Sequence, residues 1–159
     1  MTKRDISIQV NGRLVEATVE PNEPLIHFLR TRAGASDVKA GCGEGTCGTC
    51  TVLLDGELTN SCLVFAVQAD GADIITVQSL GGGSEPLHPL QRAFVEHGGA
   101  QCGFCTPGMV LTALWHVNRN QNMSRSEIRD AIGGNLCRCT GYTKIVDAIE
   151  AYSAGVDND

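Results

Sequence analysis

Apolar and polar residues alternate at Ile6, Ile8 and Val10, and again at Val15, Ala17 and Val19, with Asn11-Gly12 between the two runs. A period of two predicts half-buried strands, and Asn-Gly is a strong signal for a tight hairpin turn. Pro21 and Pro24 then mark a corner. Pro24 suits the first position of a helix, Leu25, Phe28 and Leu29 give that helix one apolar face, and Ala33-Gly34 ends it. Further on, Thr51-Val52-Leu53-Leu54 predicts a strand, Asp55-Gly56 a second hairpin turn, and Glu57 to Asn60 the return strand. Residues 63–68 fit a helix or a strand equally. Asp70-Gly71 turns the chain, and Ile74-Ile75-Thr76-Val77 reads as a last strand.

The pattern changes at Gly81-Gly82-Gly83-Ser84-Glu85-Pro86, a composition break that marks a domain boundary. Beyond it the period is helical. Pro89, Leu90, Ala93, Phe94 and Val95 predict a helix closed by Gly98-Gly99. Thr106-Pro107 fits an N-cap followed by proline at the first helical position, with Val110, Leu111, Leu114 and Trp115 on the apolar face as far as Asn118. Ser124-Arg125-Ser126-Glu127 is a capping box that opens a third helix, with Ile128, Ala131 and Ile132 inward. Residues 143–152 form a fourth, burying Ile145, Val146 and Ile149. The fold class is therefore α+β. Residues 1–80 make a small mixed sheet with one helix on it, resembling a β-grasp ferredoxin; residues 81–86 are a glycine-rich linker; residues 87–159 form a four-helix bundle domain.

Composition adds little until the cysteines are placed. The chain has 159 residues, enough for one domain or two small ones, and at 42% hydrophobic and 19% charged it is ordinary globular material. A formal charge of −6 argues against a nucleic-acid partner. No apolar run follows the basic pair Lys3-Arg4, as a secretory signal would require, and no stretch has the length of a membrane span, so a cytoplasmic location is expected. Eight cysteines in such a protein are better explained by metal than by disulfides.

Cys42, Cys47, Cys50 and Cys62 carry the spacing C-x4-C-x2-C with a distant fourth cysteine, which is that of a plant-type 2Fe–2S cluster. Three thiolates must converge on one small core, so the chain has to wrap tightly. Gly41, Gly43, Gly45 and Gly48 supply positive φ and close backbone approach. Zinc sites more often pair C-x2-C with C-x2-C or with histidines, and that pairing is missing here. Cys102, Cys105, Cys137 and Cys139 form a second quartet between predicted helices, where helix N-termini favour an anionic group. Taken alone, C-x2-C with C-x-C also suits a structural zinc site; beside a ferredoxin quartet it reads as a second 2Fe–2S site. His27, His88, His97 and His116 carry no ligand motif, and Met109 and Trp115 read as core residues. There is no nucleophile with an adjacent base, no phosphate loop and no dinucleotide fingerprint.

The stretches G-C-G-E-G-T-C-G-T-C at 41–50, Q-C-G-F-C-T-P-G at 101–108 and G-N-L-C-R-C-T-G-Y at 134–142, with Cys62, resemble the small iron–sulfur subunit of the molybdenum hydroxylases, the xanthine oxidase family. The likeness covers nearly the whole chain. It implies an electron-transfer subunit with two 2Fe–2S clusters and no substrate chemistry of its own. A large partner subunit would hold molybdopterin, in a dinucleotide form, and a medium subunit would hold FAD, the whole forming a dimer of heterotrimers. It also implies that Gln101 and Cys139 face the molybdopterin, and Gly45 and Thr46 the flavin. Some members carry a second glycine where this chain has Thr46. A free two-cluster ferredoxin is the alternative, set against it by the second cluster site that half the chain builds. The substrate and the direction of electron flow are not written in this chain.

Overall fold

The computed structural model describes residues 2–155, so residue 1 and residues 156–159 of the two outer segments lie outside the described residues. Strands β1 (Arg4–Val10) and β2 (Arg13–Val19) pair antiparallel with Val10 opposite Arg13. Asn11 and Gly12 both take positive φ, 52° and 74°, as the primed hairpin turn demands. Strands β3 (Thr51–Leu54) and β4 (Glu57–Asn60) repeat the device with Asp55 at 50° and Gly56 at 83°. Strand β5 (Asp73–Ile75) lies at the centre, parallel to β1 and antiparallel to β3, giving the order β2-β1-β5-β3-β4. Helix α1 (Leu25–Thr31) lays its fully buried Leu25, Phe28 and Leu29 on Ile8, Val52 and Ile74. This is the expected ferredoxin-like sheet with one helix.

Four further helices, α2 (Pro89–Glu96), α3 (Thr106–Val117), α4 (Arg125–Ala131) and α5 (Thr143–Ser153), enclose a second core. It is built on Leu90, Phe94, Met109, Ile128, Ile132, Ile145 and Ile149. The α4 capping box forms as its spacing predicts: Ser124 N donates to Glu127 Oε2 at 2.8 Å, and Glu127 N to Ser124 Oγ at 3.3 Å.

The structure corrects several local expectations. Pro24 is the residue before α1, in extended conformation, not its first helical residue. Strand β5 stops at Ile75. Thr76 is fully buried, with its N–H donating to Asn11 Oδ1 at 2.8 Å and its hydroxyl accepting from Asn11 Nδ2 at 2.9 Å, and that lock turns the chain into a 3₁₀ turn at Val77–Leu80. The ambiguous stretch ends in a 3₁₀ turn at Ala66–Ala69. The N-cap of α3 is Cys105, not Thr106: Cys105 already has helical φ and ψ, and its carbonyl accepts from Met109 N at 3.0 Å. Thr106 Oγ1 is buried and has no hydrogen-bond partner. The glycine run is no slack tether either. Gly82 and Glu85 exchange two backbone hydrogen bonds of 3.2 Å, and a Cβ on Gly81 would come within 2.2 Å of Pro86 O.

Trp115 is the largest correction. It is half-buried and outside the helical core. Its Nε1–H donates to Gly56 O at 2.9 Å, at the tip of the β3–β4 hairpin. The Arg119 guanidinium stacks 3.7 Å from the indole centroid and reaches Glu57 Oε1 at 3.2 Å. An indole carries a polar edge that needs a partner, and across this face the partner belongs to the sheet. Helix α3 thus grips the β3–β4 hairpin, and the two cores share a seam.

Candidate metal centres

Each predicted quartet is brought together. The loop between α1 and β3 carries Cys42, Cys47 and Cys50 with almost no regular structure, and Gly43, Gly45 and Gly48 take φ of 73°, 79° and 64°. Cys62 arrives from the end of β4, where Ser61 Oγ donates to Cys50 O at 2.8 Å and ties the fourth cysteine to the third. In the helical half, Cys102 and Cys105 lead into α3, and Cys137 and Cys139 lie between α4 and α5. All eight are free thiols.

Within each quartet the sulfurs draw together in twos. Cys102 Sγ is 3.5 Å from Cys139 Sγ, and burial, with Cys137 beside it, pushes the Cys105 thiol up. In the first quartet the Cys42 N–H points at Cys47 Sγ at 3.4 Å, and burial, with Cys50 beside it, pushes the Cys62 thiol up. Two sulfurs on one tetrahedral ion about 2.3 Å away lie about 3.8 Å apart, so each pair suits one metal atom. Among the described residues no three His, Cys, Asp or Glu side chains converge on a seat for a single ion. Paired thiols of this kind would fit a two-metal core with two thiolates to each iron.

The electrostatics suit thiolate ligands. Backbone N–H groups point at the sulfurs: Glu44 N lies 3.4 Å from Cys42 Sγ and Cys42 N 3.4 Å from Cys47 Sγ. The Thr46 hydroxyl, helped by the Glu44 amide, draws the exposed Cys42 thiol down to about 6. Burial pushes Cys62 up to about 11 and Cys105 up to about 12. Those two stay protonated at neutral pH until a metal displaces the proton, so loading releases protons. Cys105 ends at the N-terminus of α3, and the segment from Cys137 runs into that of α5 at Tyr142, so both free helix ends flank the second quartet.

Gln101, Cys102 and Cys139 are exposed together at one edge of the second quartet. Gly45 is half-buried beneath Leu63, whose Cδ1 would sit 2.4 Å from any added Cβ, and its carbonyl accepts from Asn60 Nδ2 at 3.1 Å. Thr46 is exposed, with its Oγ1 3.1 Å from Glu44 Oε1, so the carboxylate competes with Cys42 for the one hydroxyl hydrogen. The two edges are separate surfaces of the chain, one at each quartet.

Sequence reasoning missed the residues that join the quartets. Leu136 N donates to Cys47 O at 2.9 Å, linking the residue before Cys137 to a cysteine of the first quartet. Buried Asn135 donates from Nδ2 to Gly48 O at 2.9 Å. A Cβ on Gly108 would lie 2.4 Å from the same carbonyl, and one on Gly48 would lie 2.4 Å from Gly134 O. Tyr142 closes the second loop: its hydroxyl accepts from Cys137 N at 3.0 Å and donates to Asn135 O at 3.3 Å. Asn135 and Tyr142 flank Cys137 and Cys139 in sequence, and that adjacency was the one available signal.

Two family models account for most of the chain. A 2Fe–2S iron–sulfur cluster binding domain matches residues 8–74, and a [2Fe–2S] binding domain matches residues 76–150. The nicotinate dehydrogenase small FeS subunit of Eubacterium barkeri is 44% identical over 149 residues, covering 94% of each chain. The chain belongs to the small iron–sulfur subunits of the molybdenum hydroxylases. Members of this family are parts of larger oxidoreductases, and an electron-transfer role comes with membership. Quinoline 2-oxidoreductase from Pseudomonas putida 86 contains a chain of the same fold, with a TM-score of 0.91, 44% identity and coverage of 98% of this chain and 96% of that one. Aldehyde oxidoreductase from Desulfovibrio gigas matches with a TM-score of 0.89 at 41% identity over 97% of this chain, but there the small-subunit fold occupies only 17% of one long polypeptide. Among the described residues no helix is long and apolar enough to cross a membrane.

Proposed function

We propose that this subunit carries electrons between a molybdopterin site on a large partner subunit and FAD on a medium one, in a dimer of heterotrimers. Cys42, Cys47, Cys50 and Cys62 hold one 2Fe–2S cluster, and Cys102, Cys105, Cys137 and Cys139 hold the other. When bound, each cluster takes up and gives out one electron at a time. The units that hold them are residues 1–80 and 87–159, joined by 81–86. The observation that supports this reading is the 3.5 Å approach of Cys102 Sγ to Cys139 Sγ in the second quartet, with the backbone hydrogen bond from Leu136 N to Cys47 O between the two quartets.

The chain's own residues perform four tasks. The glycine loop and the amides of Cys42 and Glu44 offer N–H donors to negative sulfur. Leu63 covers the loop at Gly45. Gln101, which both donates and accepts, stands exposed beside Cys102 to meet a pterin edge, while Gly45 and Thr46 face the flavin side. The seam at Gly48, Asn135 and Leu136 holds the two sites at one separation. Substrate chemistry belongs to the large subunit.

Cys47→Ala tests the order. It removes one thiolate but keeps the carbonyl that accepts from Leu136. In the assembled variant, substrate added without oxygen reduces the cluster of Cys102, Cys105, Cys137 and Cys139, seen by electron paramagnetic resonance, while the flavin absorption stays oxidised. Flavin reduced at the wild-type rate would overturn the serial order. Purification from the native source should also bring larger molybdenum and flavin chains. A chain that purifies alone with both clusters would favour the free two-cluster ferredoxin.

A further inference from the structure

Thr140 stands in the second quartet's loop, one residue past Cys139. Its Oγ1 lies 3.2 Å from Cys137 Sγ and accepts the Tyr142 N–H at 3.1 Å. A hydroxyl has one hydrogen. The Tyr142 amide uses an oxygen lone pair, and no carbonyl or carboxylate among the described residues takes the hydroxyl hydrogen. A metal-bound Cys137 thiolate has no hydrogen of its own and can only accept. The direction of the bond is therefore fixed as Thr140 O–H to Cys137 Sγ. The acceptor is held still as well, because Cys137 N donates to Tyr142 Oη at 3.0 Å.

We propose that the Thr140 hydroxyl is a potential-setting group that raises the reduction potential of the second cluster through Cys137 Sγ. The inference rests on Cys137 being an iron ligand, as in the function proposed above. Reduction adds one electron and breaks no bond; the added charge spreads onto the core and its thiolates. A donor aimed at a thiolate stabilises that form more than the oxidised one, which is how hydrogen bonds to the sulfurs tune such clusters.

The first quartet supplies an internal contrast. Thr49 Oγ1 lies 3.2 Å from Cys47 Sγ, but also 3.3 Å from Lys39 O, which can only accept. There the one hydrogen is contested, so the hydroxyl contributes less. Cys47 O accepts from the N–H of Leu136, the residue before Cys137, at 2.9 Å.

The test is an anaerobic dithionite titration of the assembled enzyme, following the two cluster signals by electron paramagnetic resonance. The Cys47→Ala enzyme, which keeps only the second cluster, assigns the signals. Thr140→Val should shift the second cluster's reduction equilibrium about tenfold toward the oxidised form, a fall of about 59 mV for one electron. The first cluster should not move, and Thr140→Ser should stay within about a factor of two of the wild type. Thr49→Val should shift the first cluster by less. Thr140→Ala serves as a second variant in case the valine methyl crowds Tyr142. An unmoved potential in both variants overturns the proposal. So does a serine variant as low as valine, which would trace the effect to packing. Two cluster signals missing from the wild type would instead overturn the assignment of the cysteines.

Discussion

Gly48 packs against Gly134 and Asn135 of the helical half, and Gly48→Ala probes whether that contact holds the two halves together. Its φ of 64° costs an alanine about 1–2 kcal/mol. The new methyl carbon would stand 2.4 Å from Gly134 O and 2.7 Å from Asn135 Nδ2, and the first of these is backbone that cannot swing away. Relieving that overlap costs about 1–3 kcal/mol. It also breaks the buried bond from Asn135 to Gly48 O, worth about 1 kcal/mol. The variant is thus destabilised by about 3–6 kcal/mol in all. Gly71→Ala is the control: its φ is 77°, with nothing within 4 Å of an added Cβ, so it bears only the backbone cost of about 1–2 kcal/mol. The assay is the rate at which an iron chelator bleaches the visible absorption of the assembled enzyme, with chelator dilute enough that capture tracks the open population. A difference of about 2–4 kcal/mol between the variants predicts bleaching about 30- to 800-fold faster for Gly48→Ala than for Gly71→Ala. Equal rates would mean that the contact does not hold the two halves together.

Two further variants separate recognition from architecture. Gln101→Leu should leave iron content unchanged and slow reduction of the clusters by substrate; an unchanged rate would remove Gln101 from the pterin side. Trp115→Phe keeps an aromatic ring beneath Arg119 but loses the donor to Gly56 O, so it should cost about 1 kcal/mol of stability in urea unfolding followed by circular dichroism. No loss would mean that the indole N–H is equally well satisfied by water.

What could be read from the sequence divides by range. The two primed hairpins, the Ser124 capping box and the cysteine spacings are each set by residues close in the chain, and all of them appear in the structure. The end of β5 was misread because Thr76 looks like a strand residue; only its lock to Asn11, 65 positions away, stops the strand. Thr106 reads as the cap because a threonine before a proline commonly is one, but the turn through Gly103, at φ 78°, brings Cys105 into helical geometry first. The seam was invisible for a stronger reason. Asn135 bonds to Gly48 across 87 positions and Trp115 to Gly56 across 59, and no local pattern announces a partner so distant. Gly108 lies inside a helix, where the local pattern gives no reason for a glycine. It is there because a Cβ would strike the Gly48 carbonyl.

The central claim is that this one chain holds two 2Fe–2S clusters on eight cysteines. Iron and acid-labile sulfide analysis of the assembled enzyme, counted per copy of this subunit, tests it directly. The account predicts about four of each, two from each cluster, with two distinct electron paramagnetic resonance signals on reduction. About two of each, or zinc in place of iron at either quartet, would contradict it.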